Sequence, residues 1–321
     1  MLAPVNLTAL TSKDRAKSCV VLLLALGQLF TAQAQTVHSV WEDLSFFGWL
    51  DQYSLNTATY NYVGPEACVP TSSVNAMTYL QNSASNYFGT ALTGITYADW
   101  MAADATLVSP SYMDTSPSAG TYYNHIAYAL NKYIVEEKGF SLVHFSGMFP
   151  SSYWGVAPYD KPSYIYDGHP RANFFLDSLA AGYATIFSIE YGGGGGHELL
   201  AVGFDWTDAN SDGIIQSSEN AKLYFVDPLD SSATYSGGYP SGDAKLTYGH
   251  VWNAAESTNS NLRIDYNQYG GSLPYESSNY SYTGTATIDT VFAMSVPEPS
   301  TLSLVAASGF AVILMRRRRR A

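Results

Sequence analysis

Residues 66–80 read EACVPTSSVNAMTYL, and the fold turns on how this stretch is read. Pro70 suits the first turn of a helix, where its missing N–H is not needed, and Val74, Met77 and Leu80 recur at helical spacing. The spacing predicts a helix with Cys68 at its start. A cysteine nucleophile works as the thiolate, and the unpaired N–H groups and positive dipole end of a helix start favour that anion. Read for structure alone, a lone cysteine is a small buried hydrophobe. The chain has 2 cysteines, and the other, Cys19, lies in a leader-like stretch. The mature chain is then expected to keep one thiol without a disulfide partner. In an exported protein such a thiol is an oxidation hazard, so its retention points to use.

The export expectation comes from residues 1–34. Lys13, Arg15 and Lys17 form a basic region, CVVLLLALGQLF an apolar one, and AQA at 32–34 offers the small residues that a signal peptidase reads. Twelve or so apolar residues are too few to span a bilayer. At the other end, 296–321 carries Pro-Glu-Pro, an apolar run from Leu302 to Met315 and the arginines Arg316 to Arg320. An apolar segment followed by a basic cluster reads as a membrane segment with its C-terminus inside. A permanent single-span anchor is the plainer reading. In full, this order of features resembles the PEP-CTERM sorting tail. The resemblance implies signal peptidase and exosortase as processing partners, transient anchoring in the inner membrane, and then release to the cell surface or the outside.

Between Gln35 and Val296 there are 7 basic and 25 acidic residues, a net charge of −18. A body so acidic does not suit nucleic acid, whose phosphates demand a basic footprint. It suits a soluble extracellular protein, including one that binds a cation. Residues 35–295 are expected to form the folded body, of mixed helix and strand. Its opening, VWEDLSFFGWLDQYSLNT, reads as irregular. Helices are expected in YYNHIAYALNKYIVEEKG and RANFFLDSLAAG, and strands in YATIFSIEY, HELLAVGFDW, KLYFVDP, NLRIDY and TATIDTVFAMS. The Ser, Gly and Tyr-rich segment 231–285 reads equally as hairpins packed on the domain or as an elaborated loop.

Two further residues extend the reading of Cys68. Among the histidines, His197 follows GGGGG and opens an apolar strand; Asp227 closes the strand KLYFVDP. Neighbouring strands, one starting with His and the other ending with Asp, can bring these side chains together. The carboxylate can then accept the ring N–H, fix its tautomer and stabilise the imidazolium. Taken singly, His197 reads as a surface loop residue and Asp227 as an Asp-Pro turn. The ordered set of helix-start Cys, strand-start His and strand-end Asp is far less expected by chance.

EACVPTSSVNAMTYL, with LAAGYATIFSIEY, GHELLAVGFDW and LYFVDPLD, resembles papain-like cysteine peptidases, especially the bacteriocin-processing-peptidase-like family. The Mac/IdeS immunoglobulin-cleaving peptidases are similar in order and context. The resemblance covers roughly 50–230 and is strong in two islands. It implies an α+β, papain-like fold, with the Cys helix packed on an antiparallel sheet carrying His and Asp. It implies Cys68 as nucleophile, His197 as general base and Asp227 as the orienting acid, acting on a peptide or protein substrate. Val69 stands where the bacteriocin-processing type carries glycine, beside the oxyanion hole. The backbone N–H of Cys68 supplies one oxyanion donor. In papain-like enzymes an upstream glutamine supplies the second; Gln52 is the candidate here, 16 residues before Cys68, with Asn56 and Asn61 as alternatives.

Between the two strands, DANSDGIIQSSE at 208–219 fits a twelve-residue calcium loop. Asp208, Asn210 and Asp212 hold the first, third and fifth positions and Gly213 the sixth. Ile214 offers its carbonyl, Gln216 the ninth-position contact and Glu219 a bidentate carboxylate. Ile215 takes the apolar position that pairs with a strand. Read plainly, this is a polar Asp/Asn/Gly turn; the full match favours Ca2+ in a solitary loop without flanking helices. Two functions follow: a calcium-stabilised exported cysteine peptidase, or a non-catalytic calcium-binding matrix or surface protein on a degenerate peptidase fold, one partner of which would be extracellular polysaccharide.

Overall fold

A computed structural model describes residues 35–55, 64–154, 160–191, 195–229, 244–255, 259–267 and 283–297. The leader 1–34, Asn56, Asn61 and nearly all of the tail lie outside the described residues.

Helix α1 (Cys68–Ser83) starts at the cysteine, with Pro70 in its first turn. All but its ends are buried, because it is covered on every side. Helix α2 (Tyr97–Val108) begins in a capping box in which Thr96 and Asp99 satisfy each other's backbone N–H groups. Helix α3 (Tyr123–Asn131) runs into a turn of π-helix, Lys132–Glu137, and α4 (Ala172–Ala180) comes just before β4 (Ala184–Tyr191).

Among the described residues there are nine strands, in chain order β1 (Thr36–Trp41), β2 (His144–Phe149), β3 (Ile165–Asp167), β4 (Ala184–Tyr191), β5 (Gly196–Asp208), β6 (Ala221–Asp227), β7 (Lys245–Asn253), β8 (Leu262–Asn267) and β9 (Thr283–Ser295). Strand β4 pairs with both β5 and β9, and β5 through β9 pair in succession, so six antiparallel strands close on themselves as a barrel. Closure removes the exposed edges that an open sheet would present. Strand β1 joins outside β5, and β2 and β3 extend from β9.

The opening segment, expected to be irregular from Val40, runs through coil and two short 3-10 turns; only Val40 and Trp41 belong to β1, whose Thr36 pairs with Asp208 and Trp41 with Gly203. The segment 231–285, left open, contains β7 and β8, two staves of the barrel.

The staves alternate between two cores. Phe187, Leu199, Phe225 and Ile264 line one face, where Phe175 of α4 packs against Phe187 with 5.5 Å between ring centres. Ile186, Leu200, Val226 and Phe292 face the helices, and α1 lies on β4 and β5 there. Burial of these side chains supplies the main driving force for folding, roughly 1.5–3 kcal/mol for each large one.

Candidate active site

Buried polar side chains hold α1 in place. Ser72 donates to the carbonyl of Glu198 (2.9 Å), which ties the first turn of α1 to the residue after His197. Asn75 grips the segment before Gln52 from both sides, accepting from the Leu50 N–H (2.8 Å) and donating to the Leu50 carbonyl (3.0 Å).

His197 stands at the start of β5 and Asp227 at the end of β6, which are antiparallel neighbours, so both side chains come to the same end of the barrel. Nε2 of His197 lies 2.7 Å from Oδ1 of Asp227, with both side chains nearly withdrawn from solvent. The thiol of Cys68 also hydrogen-bonds the His197 side chain. With Nε2 given to Asp227, Nδ1 is the ring nitrogen left for sulfur. Burial opposes a charge on this ring, but Asp227 and then Cys68 more than offset it and raise the His197 pKa to about 10. The imidazole therefore holds its proton across the neutral range.

Asp227 is itself fixed by two donors that the sequence reading missed. The Tyr266 hydroxyl donates to Oδ2 (2.8 Å) and the Leu229 N–H to Oδ1 (2.8 Å). Tyr266 comes from β8 and its ring centre lies 5.8 Å from that of His197. Gly196 lets α3 approach the same place, since a Cβ there would stand 2.3 Å from the Tyr123 hydroxyl.

Gln52 is buried in a turn of 3-10 helix, Gln52–Leu55. Its N–H donates to the carbonyl of Pro228 (2.9 Å), next to Asp227, and its turn packs against the turn Gly64–Glu66 that leads into Cys68. The backbone of Gln52 therefore lies beside the Asp227 end of the site despite the long spacing. Val69 points away from the approach to sulfur: it is 3 % exposed and sits in the helix-side core. Val69→Gly should cost about 2–4 kcal/mol, from the lost side chain and the glycine in a helix. Thermal unfolding checks this; an unchanged Tm would place the side chain outside the core.

The loop 208–219 lies at the other end of the β5–β6 hairpin. Asp208 lies eleven positions along the strand from His197, roughly 35 Å at strand rise. Asp208 accepts from the N–H of Asp212 (3.2 Å) and of Gly213 (2.9 Å), and Asn210 donates to Asp212 (2.8 Å). Gly213 has a positive φ of 73°, which its lack of a side chain permits. Ile215 is fully buried; its N–H donates to Oδ1 of Asn253 on β7 (2.7 Å) and its carbonyl accepts from the Asn253 N–H (2.9 Å). Glu219 accepts from Trp206 Nε1 (2.9 Å), from the Ala209 N–H (2.9 Å) and from the Gln216 N–H (3.0 Å), and the Gln216 side chain caps the turn 217–219 in return. The carboxylate oxygens of Asp208 and Glu219 thus accept from N–H groups of the loop and of Trp206. Among the described residues no three carboxylate, imidazole or thiol groups are gathered as a metal cluster.

Residues 295–320 match the PEP-CTERM protein-sorting motif. The chain is therefore exported, held transiently in the membrane, processed by exosortase, and then resident at the cell surface or outside the cell. The PEP-CTERM match covers the tail alone, and no curated protein matches the chain. Among the described residues no helix is long and apolar enough to cross a membrane.

Proposed function

We propose that this exported protein is a papain-like cysteine peptidase that cleaves peptide bonds through Cys68, His197 and Asp227. One observation carries the reading: a single buried imidazole touches both a thiol at a helix start and a buried carboxylate. The sulfur attacks the scissile carbonyl carbon, and the developing oxyanion takes N–H donors from Cys68 and from the Gln52 side chain. His197, already protonated, gives its proton to the leaving amine as the C–N bond breaks. A water then attacks the thioester with His197 accepting its proton, and the acid product leaves. Asp227 keeps the ring oriented throughout, and Tyr266 keeps Asp227 in place.

Incubating the mature protein with an unstructured peptide mixture and reading cleavage by mass spectrometry tests this. Cleavage is expected in the wild type and absent in Cys68→Ala. Cleavage that survives in Cys68→Ala would overturn the assignment. No cleavage by either protein would favour the non-catalytic matrix or surface reading, in which the calcium loop is the functional element.

The same body is proposed to carry Ca2+ in the loop 208–219. Asp208, Asn210, Asp212, the Ile214 carbonyl, Gln216 and Glu219 would hold it, as a clasp on the β5–β6 hairpin. Because Trp206 bonds Glu219, bound terbium should emit on tryptophan excitation, with the emission displaced by calcium and lost in Asp212→Ala. No sensitised emission from the wild type at about millimolar terbium would remove calcium from the proposal.

A further inference from the structure

Near Cys68 lies a group of carboxyls that the proposed mechanism does not use. Glu198 follows His197 directly and is 1 % exposed. One of its oxygens meets Ser188, while Oε2 is buried with no hydrogen-bond partner. Ser188 bonds Thr290 across to β9. The residue before Thr290 is Asp289, which sits where the pairing of β4 with β9 slips by one residue, between Ser188 and Ile189. Such a bulge re-aims a side chain out of strict alternation. The Asp289 carboxylate, 2 % exposed, accepts from the Tyr153 hydroxyl and faces Nδ1 of His169 at 3.4 Å.

Tyr123 connects these groups to the thiol. It lies within electrostatic reach of Glu198, Cys68, Tyr153 and Asp289, and its ring packs edge-on against Tyr153 at 5.2 Å between centres. Burial, ahead of those neighbours, raises the Tyr123 pKa far above its ordinary value, so the hydroxyl remains a donor. Burial likewise raises Glu198 to about 8, with Ser188 and His197 opposing. Glu190, exposed at the end of β4, adds a further negative charge within reach of Tyr153. Two imidazoles face these carboxyls: that of His169, half-buried beside Asp289, and that of His197, next to Glu198. A buried carboxyl oxygen with nothing to bind is costly, and an arriving cation would satisfy it.

We propose that this flank of the site, bounded by Tyr123, Tyr153, Glu198 and Asp289, is a specificity subsite for a lysine or arginine side chain of the substrate. The inference rests on the peptidase reading for its biological meaning. A substrate bearing a basic residue near the scissile bond would place its ammonium or guanidinium between Glu198 and Asp289, with the tyrosine rings along its stem. A substrate bearing an acidic residue there would be repelled.

Two measurements on the mature protein separate this proposal from the peptidase reading. The first compares the modification rates of Cys68 by aminoethyl and sulfonatoethyl methanethiosulfonate, a cation and an anion of similar size. In each, sulfur attacks the reagent's divalent sulfur, forms a mixed disulfide and releases methanesulfinate. The cation-to-anion rate ratio is expected to fall about fivefold or more in Asp289→Asn, and by a smaller factor in Glu190→Gln, whose exposed position spares the fold. Asp177→Asn, on the exposed side of α4, removes the same charge elsewhere and should leave the ratio unchanged. The second measurement reads the residues flanking cleaved bonds in the peptide mixture. Cleavage beside Lys or Arg that becomes indifferent in Asp289→Asn supports the subsite. An unchanged rate ratio in both Asp289→Asn and Glu190→Gln, or cleavage indifferent to basic residues in the wild type, overturns it. A shifted ratio without any cleavage would keep the cation-selective flank and overturn the peptidase reading instead.

Discussion

Asp227→Ala is expected to lower the unfolding free energy by about 3–5 kcal/mol, the usual loss when one partner of a buried pair is removed. Three donors would lose their acceptor together: the His197 ring, the Tyr266 hydroxyl and the Leu229 N–H. Tyr266→Phe removes one of them and should cost about 1–3 kcal/mol. The effect of Asp227 carries a pH signature. Asp227 and Cys68 raise the His197 pKa to about 10, against about 6.5 for a free imidazole. A raised pKa means that the folded state holds a proton which the unfolded chain releases. The stabilisation from the pair is therefore complete below about pH 6.5 and is lost as pH rises through about 10. Denaturant unfolding across this window should show wild type and Asp227→Ala converging at the alkaline end. A constant gap between them would mean that Asp227 stabilises by packing alone.

His197→Ala is expected to reduce peptide hydrolysis by about a thousandfold or more, since a nucleophile and its base act as one unit. Cys68→Ala should cost about as much, and the double variant little more, because neither residue works without the other. Additive losses would show that the two side chains act separately. His197→Ala also leaves Asp227 buried without its ring partner, so circular dichroism must accompany the rates. Tyr266 and Leu229 still bond that carboxylate, which favours retention of the fold.

Much of this site is legible in the sequence because its parts are local. Pro70 with Val74, Met77 and Leu80 marks the helix, and the glycine run before His197 and the Asp-Pro after KLYFV mark two strand ends. Antiparallel pairing of β5 with β6 does the rest, joining a strand start to a strand end. Tyr266 could not be found this way. It meets Asp227 across 39 residues, and nothing local distinguishes it from the other tyrosines among the 26 in the chain. Closure of the barrel is equally non-local, since it needs β4 to pair with β9 about a hundred residues later. The bulge at Asp289 follows from that pairing alone. Other signals were present and unused. Thr96 and Asp99 have the spacing of a capping box, and Glu198 is a carboxylate inside an otherwise apolar strand. The calcium loop shows the opposite case: its residue pattern is plain in sequence, but only the hairpin shows that it lies far from His197.

The catalytic assignment depends on one contact, that of the Cys68 thiol with the His197 ring. Alkylation by iodoacetamide reads it directly, because Cys68 is the single cysteine after residue 34. The second-order rate should already be high at about pH 6, change little up to about pH 8, and drop to that of a simple thiol in His197→Ala. A wild-type rate that climbs about tenfold per pH unit across this range, and is untouched by His197→Ala, would contradict the thiolate–imidazolium pair.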